Sequence, residues 1–172
     1  MTRVLLIFCL TIVSWHQCSS QQAIGQWTDQ LSYRSVSQIV DDGNNLYCSA
    51  GRAIFKYDKN QGEITRLSKV NSLSDSDVSS MAYSEEYEIL VIGYANGNVD
   101  LISESGTLNL SDIKRSSVIG DKGIYRITLE GEEAWLATGF GIVVLDILEL
   151  EIKETYFIAP GGGNILVRDI LL

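Results

Sequence analysis

Val36-Ser37-Gln38-Ile39 returns as Val78-Ser79-Ser80-Met81, as Ile124-Tyr125-Arg126-Ile127 and as Val167-Arg168-Asp169-Ile170. The first residues of these phrases stand 42, 46 and 43 positions apart. A period in that range belongs to architectures whose repeat unit is one four-stranded sheet. Working outward from each phrase, a polar turn comes next: Asp41-Asp42-Gly43-Asn44-Asn45, Ser84-Glu85-Glu86 and Glu130-Gly131-Glu132. A second apolar run then reads Leu46-Tyr47-Cys48, Leu90-Val91-Ile92 and Ala134-Trp135-Leu136-Ala137. Glycine turns follow at Gly51, at Asn96-Gly97 and at Gly139-Phe140-Gly141.

The third runs are Ala53-Ile54-Phe55-Lys56-Tyr57, Val99-Asp100-Leu101-Ile102 and Ile142-Val143-Val144-Leu145. The fourth are Glu63-Ile64-Thr65-Arg66-Leu67, Thr107-Leu108-Asn109-Leu110 and Ile152-Lys153-Glu154-Thr155-Tyr156-Phe157. Asn, Asp and Gly tolerate the positive φ of tight hairpins, and β-branched and aromatic residues suit pleated strands. The inner runs are nearly continuous in apolar residues, as strands covered on both faces require. The fourth runs alternate with charge, as a wet rim does. Helical periodicity is weak throughout. The expectation is an all-β chain: a β-propeller of about three four-stranded antiparallel blades plus the start of a fourth, at about 27–68, 70–115, 118–158 and 164–172. Propellers close with about four to eight blades. This ring is therefore incomplete, and the ending at Ile170-Leu171-Leu172 reads as a fragment of a longer protein or a truncated gene product.

Two further stretches carry a resemblance. Asn71-Ser72-Leu73-Ser74-Asp75-Ser76-Asp77-Val78-Ser79-Ser80-Met81-Ala82 resembles the repeat phrase of two-component-regulator propellers, with Ser72 where that family usually has Gly. Trp135-Leu136-Ala137-Thr138-Gly139 resembles their W-I-G-T-x-x-G strand. The stretch from Leu67 to Ile102, with the opening Ile24-Gly25-Gln26-Trp27, is closer to the N-terminal propeller of PorZ-like proteins. The resemblance implies a surface protein of Bacteroidetes serving the type IX (Por) secretion system. It also implies partners in the attachment complex, including a sortase-like protease, and anionic lipopolysaccharide as a ligand of the full-length protein. An extracellular glycan-sensing domain of a hybrid two-component regulator is the alternative that the repeat phrase leaves open.

The N-terminus reads as an export signal over residues 1–20, which leaves 24–172 for the propeller domain. Arg3 precedes the apolar run Val4–Val13, and the small residues Ser19 and Ser20 follow it. Such a run is too short for a bilayer, which takes about 20 apolar residues. Gln17 sits where a lipoprotein signal would place a small residue before Cys18, which argues against lipid attachment. The expected destination is the cell surface, the outer membrane or the periplasm, with no membrane span after cleavage.

Cleavage removes His16, the single histidine, and leaves Cys48 as the single cysteine. That excludes an intramolecular disulfide, Ser-His and Cys-His catalysis, and a histidine-based zinc site. The net charge of −9 and the lack of any basic run exclude nucleic acid as a partner. Asp41-Asp42-Gly43-Asn44-Asn45 and Asp75-Ser76-Asp77 gather oxygen ligands, but neither has the spacing of a calcium loop, so both read as turns. Glu85-Glu86 and Glu132-Glu133 would point to opposite faces as strand neighbours and could not converge on one bond, so both pairs read as solvated turns. Gly161-Gly162-Gly163 lacks the following Lys-Ser/Thr of a phosphate loop, and Asn109-Leu110-Ser111 matters only in a eukaryotic secretory setting. The expectation is a non-enzymatic binding module without metal or cofactor. Tyr94 and Phe140, at corresponding glycine turns, are the expected ligand-contacting pair.

Overall fold

The computed structural model describes residues 35–172. The export signal, Cys18, the opening Ile24–Trp27 and the start of the first repeat at 27–34 lie outside the described residues.

Three four-stranded antiparallel sheets follow one another, each a simple meander in chain order. Sheet one holds β1 (Gln38–Asp41), β2 (Asn45–Ser49), β3 (Ile54–Asp58) and β4 (Ile64–Leu67). Sheet two holds β5 (Val78–Ser84), β6 (Ile89–Tyr94), β7 (Val99–Ser103) and β8 (Gly106–Leu110). Sheet three holds β9 (Ile124–Glu130), β10 (Glu133–Thr138), β11 (Gly141–Asp146) and β12 (Glu151–Tyr156). A single helical turn, α1 (Asp112–Arg115), stands between the second and third sheets. The all-β, propeller-type reading holds.

The hairpins form where short polar side chains can close them. At the first turn, Asp42 Oδ1 accepts the backbone amides of Asn44 and Asn45 at 2.9 and 2.5 Å, and Asp41 Oδ1 accepts that of Gly43 at 2.8 Å. Those carboxylates therefore cap a turn whose Gly43 has a φ of +91°.

Packing explains why β6 shows no alternation in sequence. Leu90, Ile92 and Tyr94 join the core shared with sheet one, alongside Tyr47, Ile54 and Met81. Val91, between them, joins the core shared with sheet three, alongside Ile127, Leu136 and Val143. Both faces of the middle sheet are covered, so every position must be apolar. The rim behaves oppositely: β12 is exposed along its whole length, and three of the four residues of β4 are exposed.

The first strands of the three sheets lie side by side, β1 against β5 and β5 against β9. Side chains bind them together. Gln38 Nε2 donates to the Met81 carbonyl at 2.7 Å while its Oε1 accepts the Met81 amide at 2.8 Å. Ser79 Oγ reaches the Ile124 carbonyl at 2.6 Å. Gly93 on β6 leaves room for sheet three: a Cβ there would lie 2.7 Å from Ile124 Cγ2.

The chain from 164 to 172 forms no strand ladder, but it takes the corresponding place beside sheet three. Val167 N donates to the Thr138 carbonyl at 2.9 Å, and Val78 N makes the parallel bond to Gly51 at 2.7 Å. Thr128 Oγ1 donates to the Ile170 carbonyl at 2.9 Å, and Arg126 pairs with Asp169 at 3.4 Å.

Candidate functional site

The phrase 71–82 owes its composition to two buried carboxylates. Asn71 first closes the loop on itself, accepting the Ser68 amide at 2.8 Å and donating to the Arg66 carbonyl at 2.7 Å. Leu73 then drops into the core between sheets one and two. Asp75, 6% exposed, receives Lys114 Nζ at 2.5 Å, Asn96 Nδ2 at 2.7 Å, the Ser76 amide at 3.0 Å and Lys69 Nζ at 3.3 Å. Burial works to raise this carboxyl, but the donors, led by Lys114 and Asn96, outweigh it and hold it well below the usual carboxylate range. Asp100, fully buried on β7, accepts the Ser74 amide at 2.8 Å, the Tyr94 hydroxyl at 2.6 Å and Asn109 Nδ2 at 2.8 Å. The two aspartates clamp the connection from sheet one onto sheet two.

Tyr94 and Phe140 sit in the interior, at 0% and 2% exposure. Tyr94 serves the clamp, and burial, then its bond to Asp100, pushes its hydroxyl far above the ordinary tyrosine range. Phe140 belongs to the core between sheets two and three and stands 6.0 Å from Phe157. The structure does not bring the two rings together on one surface: Tyr94, at the end of β6, packs into the core between sheets one and two, and Phe140 into the core between sheets two and three. The pair Glu132-Glu133 lies at a turn, as expected. Glu132 lies in the turn before β10, so both carboxylates, with Asp146, surround Lys153 Nζ at 3.8, 2.8 and 3.7 Å. Asn109 of the sequon is occupied by Asp100 and the Val99 carbonyl. Trp135 stacks parallel to Tyr156 at 6.1 Å between centroids, on the face of sheet three turned away from sheet two.

A different pair of aromatics does share a cleft. Between sheets one and two, beside the turns that follow β1, β5 and β7, a cavity of about 330 Å³ opens to solvent. Tyr47 and Tyr83 wall it, Leu67 and Ile102 line its apolar side, and Asp42, Glu88 and Glu104 supply carboxylates. Among the described residues Lys56 is the one basic residue in the lining, and its Nζ stands 5.8 Å from the Tyr47 ring centroid. Burial, then the neighbouring charges of Asp42, Glu88, Glu85 and Glu104, raises the Tyr83 hydroxyl. Burial and Asp42 raise that of Tyr47. Glu88 is held at a φ of +54° in the turn before β6. No turn signal in the sequence marks Tyr47 and Tyr83, since each sits within a strand. The usable signal was the register: Tyr47 and Tyr83 fall on the faces that sheets one and two turn toward each other.

Meandering four-stranded sheets that pack face to face, with their first strands side by side and their fourth strands at the rim, define a set of β-propeller blades. A family model described as the TSS9 PorZ N-terminal β-propeller domain matches residues 46–170, and the chain belongs to that family. Its fold is similar to the solved structure of PorZ, an essential bacterial surface component of the type IX secretion system of Porphyromonas gingivalis. That match has a TM-score of 0.72 and 34% identity, over 77% of this chain and 18% of that one. The chain thus spans about a fifth of the length of that protein. The extracellular domain of a putative hybrid two-component system from B. thetaiotaomicron aligns with a TM-score of 0.58 at 14% identity, over 78% of this chain and 17% of that one. Sqt1 of Saccharomyces cerevisiae aligns with a TM-score of 0.55 at 16% identity, over 76% and 33%. These last two likenesses speak to the fold alone. No curated protein matches the chain.

Proposed function

We propose that this chain is the propeller portion of a non-catalytic, cell-surface scaffold and binding module of the type IX secretion system. In this reading it acts with the attachment-complex proteins, including a sortase-like protease, that join anionic lipopolysaccharide to secreted cargo. The observation that carries the proposal is the PorZ family match across 46–170, at 34% identity to a surface component of that system. The structural use of the repeat phrase supports it: Asp75 is bound by Lys114 and the Ser74 amide is bound by Asp100, so the phrase serves to fasten one blade to the next. Contact with lipopolysaccharide is assigned to the full-length protein and not to the cleft between sheets one and two, where three carboxylates against one lysine would repel an anion.

A clean deletion of the full-length gene tests the proposal. The expected outcome is cargo that leaves the cell without its glycolipid anchor, read as loss of the slow-migrating modified species and of surface display. Cargo modified and displayed as in the parent strain would overturn it.

A further inference from the structure

We infer that the cleft between sheets one and two binds a basic side chain, Lys or Arg, presented by a partner polypeptide. The inference goes beyond the secretion role and does not depend on it. At about 330 Å³ the cleft lies at the small end of ligand pockets, which run from about 300 to 1,000 Å³, so its occupant is one side chain or one sugar ring and not an extended chain.

Its chemistry selects between those. Tyr47 and Tyr83 offer aromatic surface, and tyrosine faces attract ammonium and guanidinium groups. The protein displays this geometry with its own cation, Lys56 over Tyr47. Asp42 is already committed to capping the first turn through the Asn44 and Asn45 amides. Glu88 and Glu104 have no ion pair among the described residues, so the cleft carries unmatched negative charge at its mouth. Ile102 and Leu67 add apolar wall, which suits the methylene stem of Lys or Arg better than the hydroxyl-bearing edge of a sugar. Charge complementarity and the apolar stem together favour a polypeptide as the source.

The test is saturation-transfer NMR and titration on the full chain with four probes: Nα-acetyl-arginine amide, Nα-acetyl-lysine amide, neutral Nα-acetyl-norleucine amide and glucosamine. The expected result is binding of the two basic amino-acid amides, weakened by added salt, with norleucine amide and glucosamine weaker. The variant Glu88→Gln/Glu104→Gln should lose at least about fivefold in affinity for both basic probes while its circular dichroism and melting temperature hold, since both residues are exposed. Tyr83→Leu, which keeps an apolar filler, should weaken the same two probes. Equal binding of norleucine amide, tighter binding of glucosamine, no detectable binding of either basic probe, or unchanged affinity in the double glutamine variant would each overturn the inference.

Discussion

Asp75 is nearly buried beneath the connection between two sheets, and its charge is tolerable there because four donors surround it. Two of them come from elsewhere in the chain: Asn96 lies 21 residues on and Lys114 lies 39 residues on. The turn reading of Asp75-Ser76-Asp77 holds, since 75–77 lie in the connection before β5. The partners were invisible because a repeat period says which loops correspond and not which side chains meet across them. Asp75→Asn keeps the shape, removes the charge and presents an amide to two ammonium groups. A loss of about 1–3 kcal/mol at pH 7 is expected from urea unfolding. The pH dependence follows from the sign of the shift. The folded carboxyl titrates below its unfolded value of about 3.9, so its contribution is whole above that value. It is withdrawn as pH falls below the unfolded value toward the folded one. The gap between wild type and Asp75→Asn should therefore narrow between pH 7 and pH 3. A gap that stays constant over that range would show that Asp75 is not the paired carboxylate seen here.

Between elements, the period of the sequence predicted the strands well, and the physical reason lies in burial. Runs such as Leu90-Val91-Ile92 are continuous because sheet two is covered on both sides, and runs such as Glu151–Tyr156 are charged because β12 is wet. What the period did not carry was how neighbouring sheets are joined. Gln38, a plain polar residue inside the opening phrase, makes two bonds to the Met81 backbone, and Arg126 at the equivalent position pairs with Asp169. The side chains differ at each repeat, so no pattern announces them. For the same reason the cleft tyrosines are not legible in the sequence: their meeting depends on the packing of two sheets, whereas the place of Tyr94 and Phe140 near glycine turns is visible in the order of residues. Gln38→Leu preserves the stem of the side chain and removes both bonds. Its clearest effect should be local: the Met81 amide, bonded in the wild type by Gln38 Oε1, should exchange with deuterium at least about tenfold faster. Amides of β10, which Gln38 does not touch, should keep their rates. Equal acceleration across all three sheets would mean that Gln38 acts on global stability and not as a tie between β1 and β5.

At the scale of the whole molecule, the main contacts between sheets among the described residues run in sequence order: one on two, and two on three. Such an arrangement adds stability by nearest-neighbour interfaces, as linear repeat arrays do. Sheet two has two interfaces, and sheets one and three have one each among the described residues. Apolar area removed from water contributes about 25 cal/mol per Å², so the middle sheet is the most strongly held. The face of sheet three away from sheet two keeps Tyr156 at 40% exposure, with Phe157 at 41% and Ile158 at 53% just beyond it. Local opening follows burial, and strands with few buried apolar contacts open at low free energy. Hydrogen-exchange mass spectrometry on the full chain should therefore return a gradient. Peptides covering β6, where five of six residues are buried, should exchange most slowly, and those covering β12, exposed throughout, most rapidly. β10, with four of its six residues buried but a single neighbouring sheet, should fall between them. Uniform protection across β6, β10 and β12 would instead mean that the three sheets open as one cooperative unit, and that the interfaces between sheets are as strong as the ladders within them.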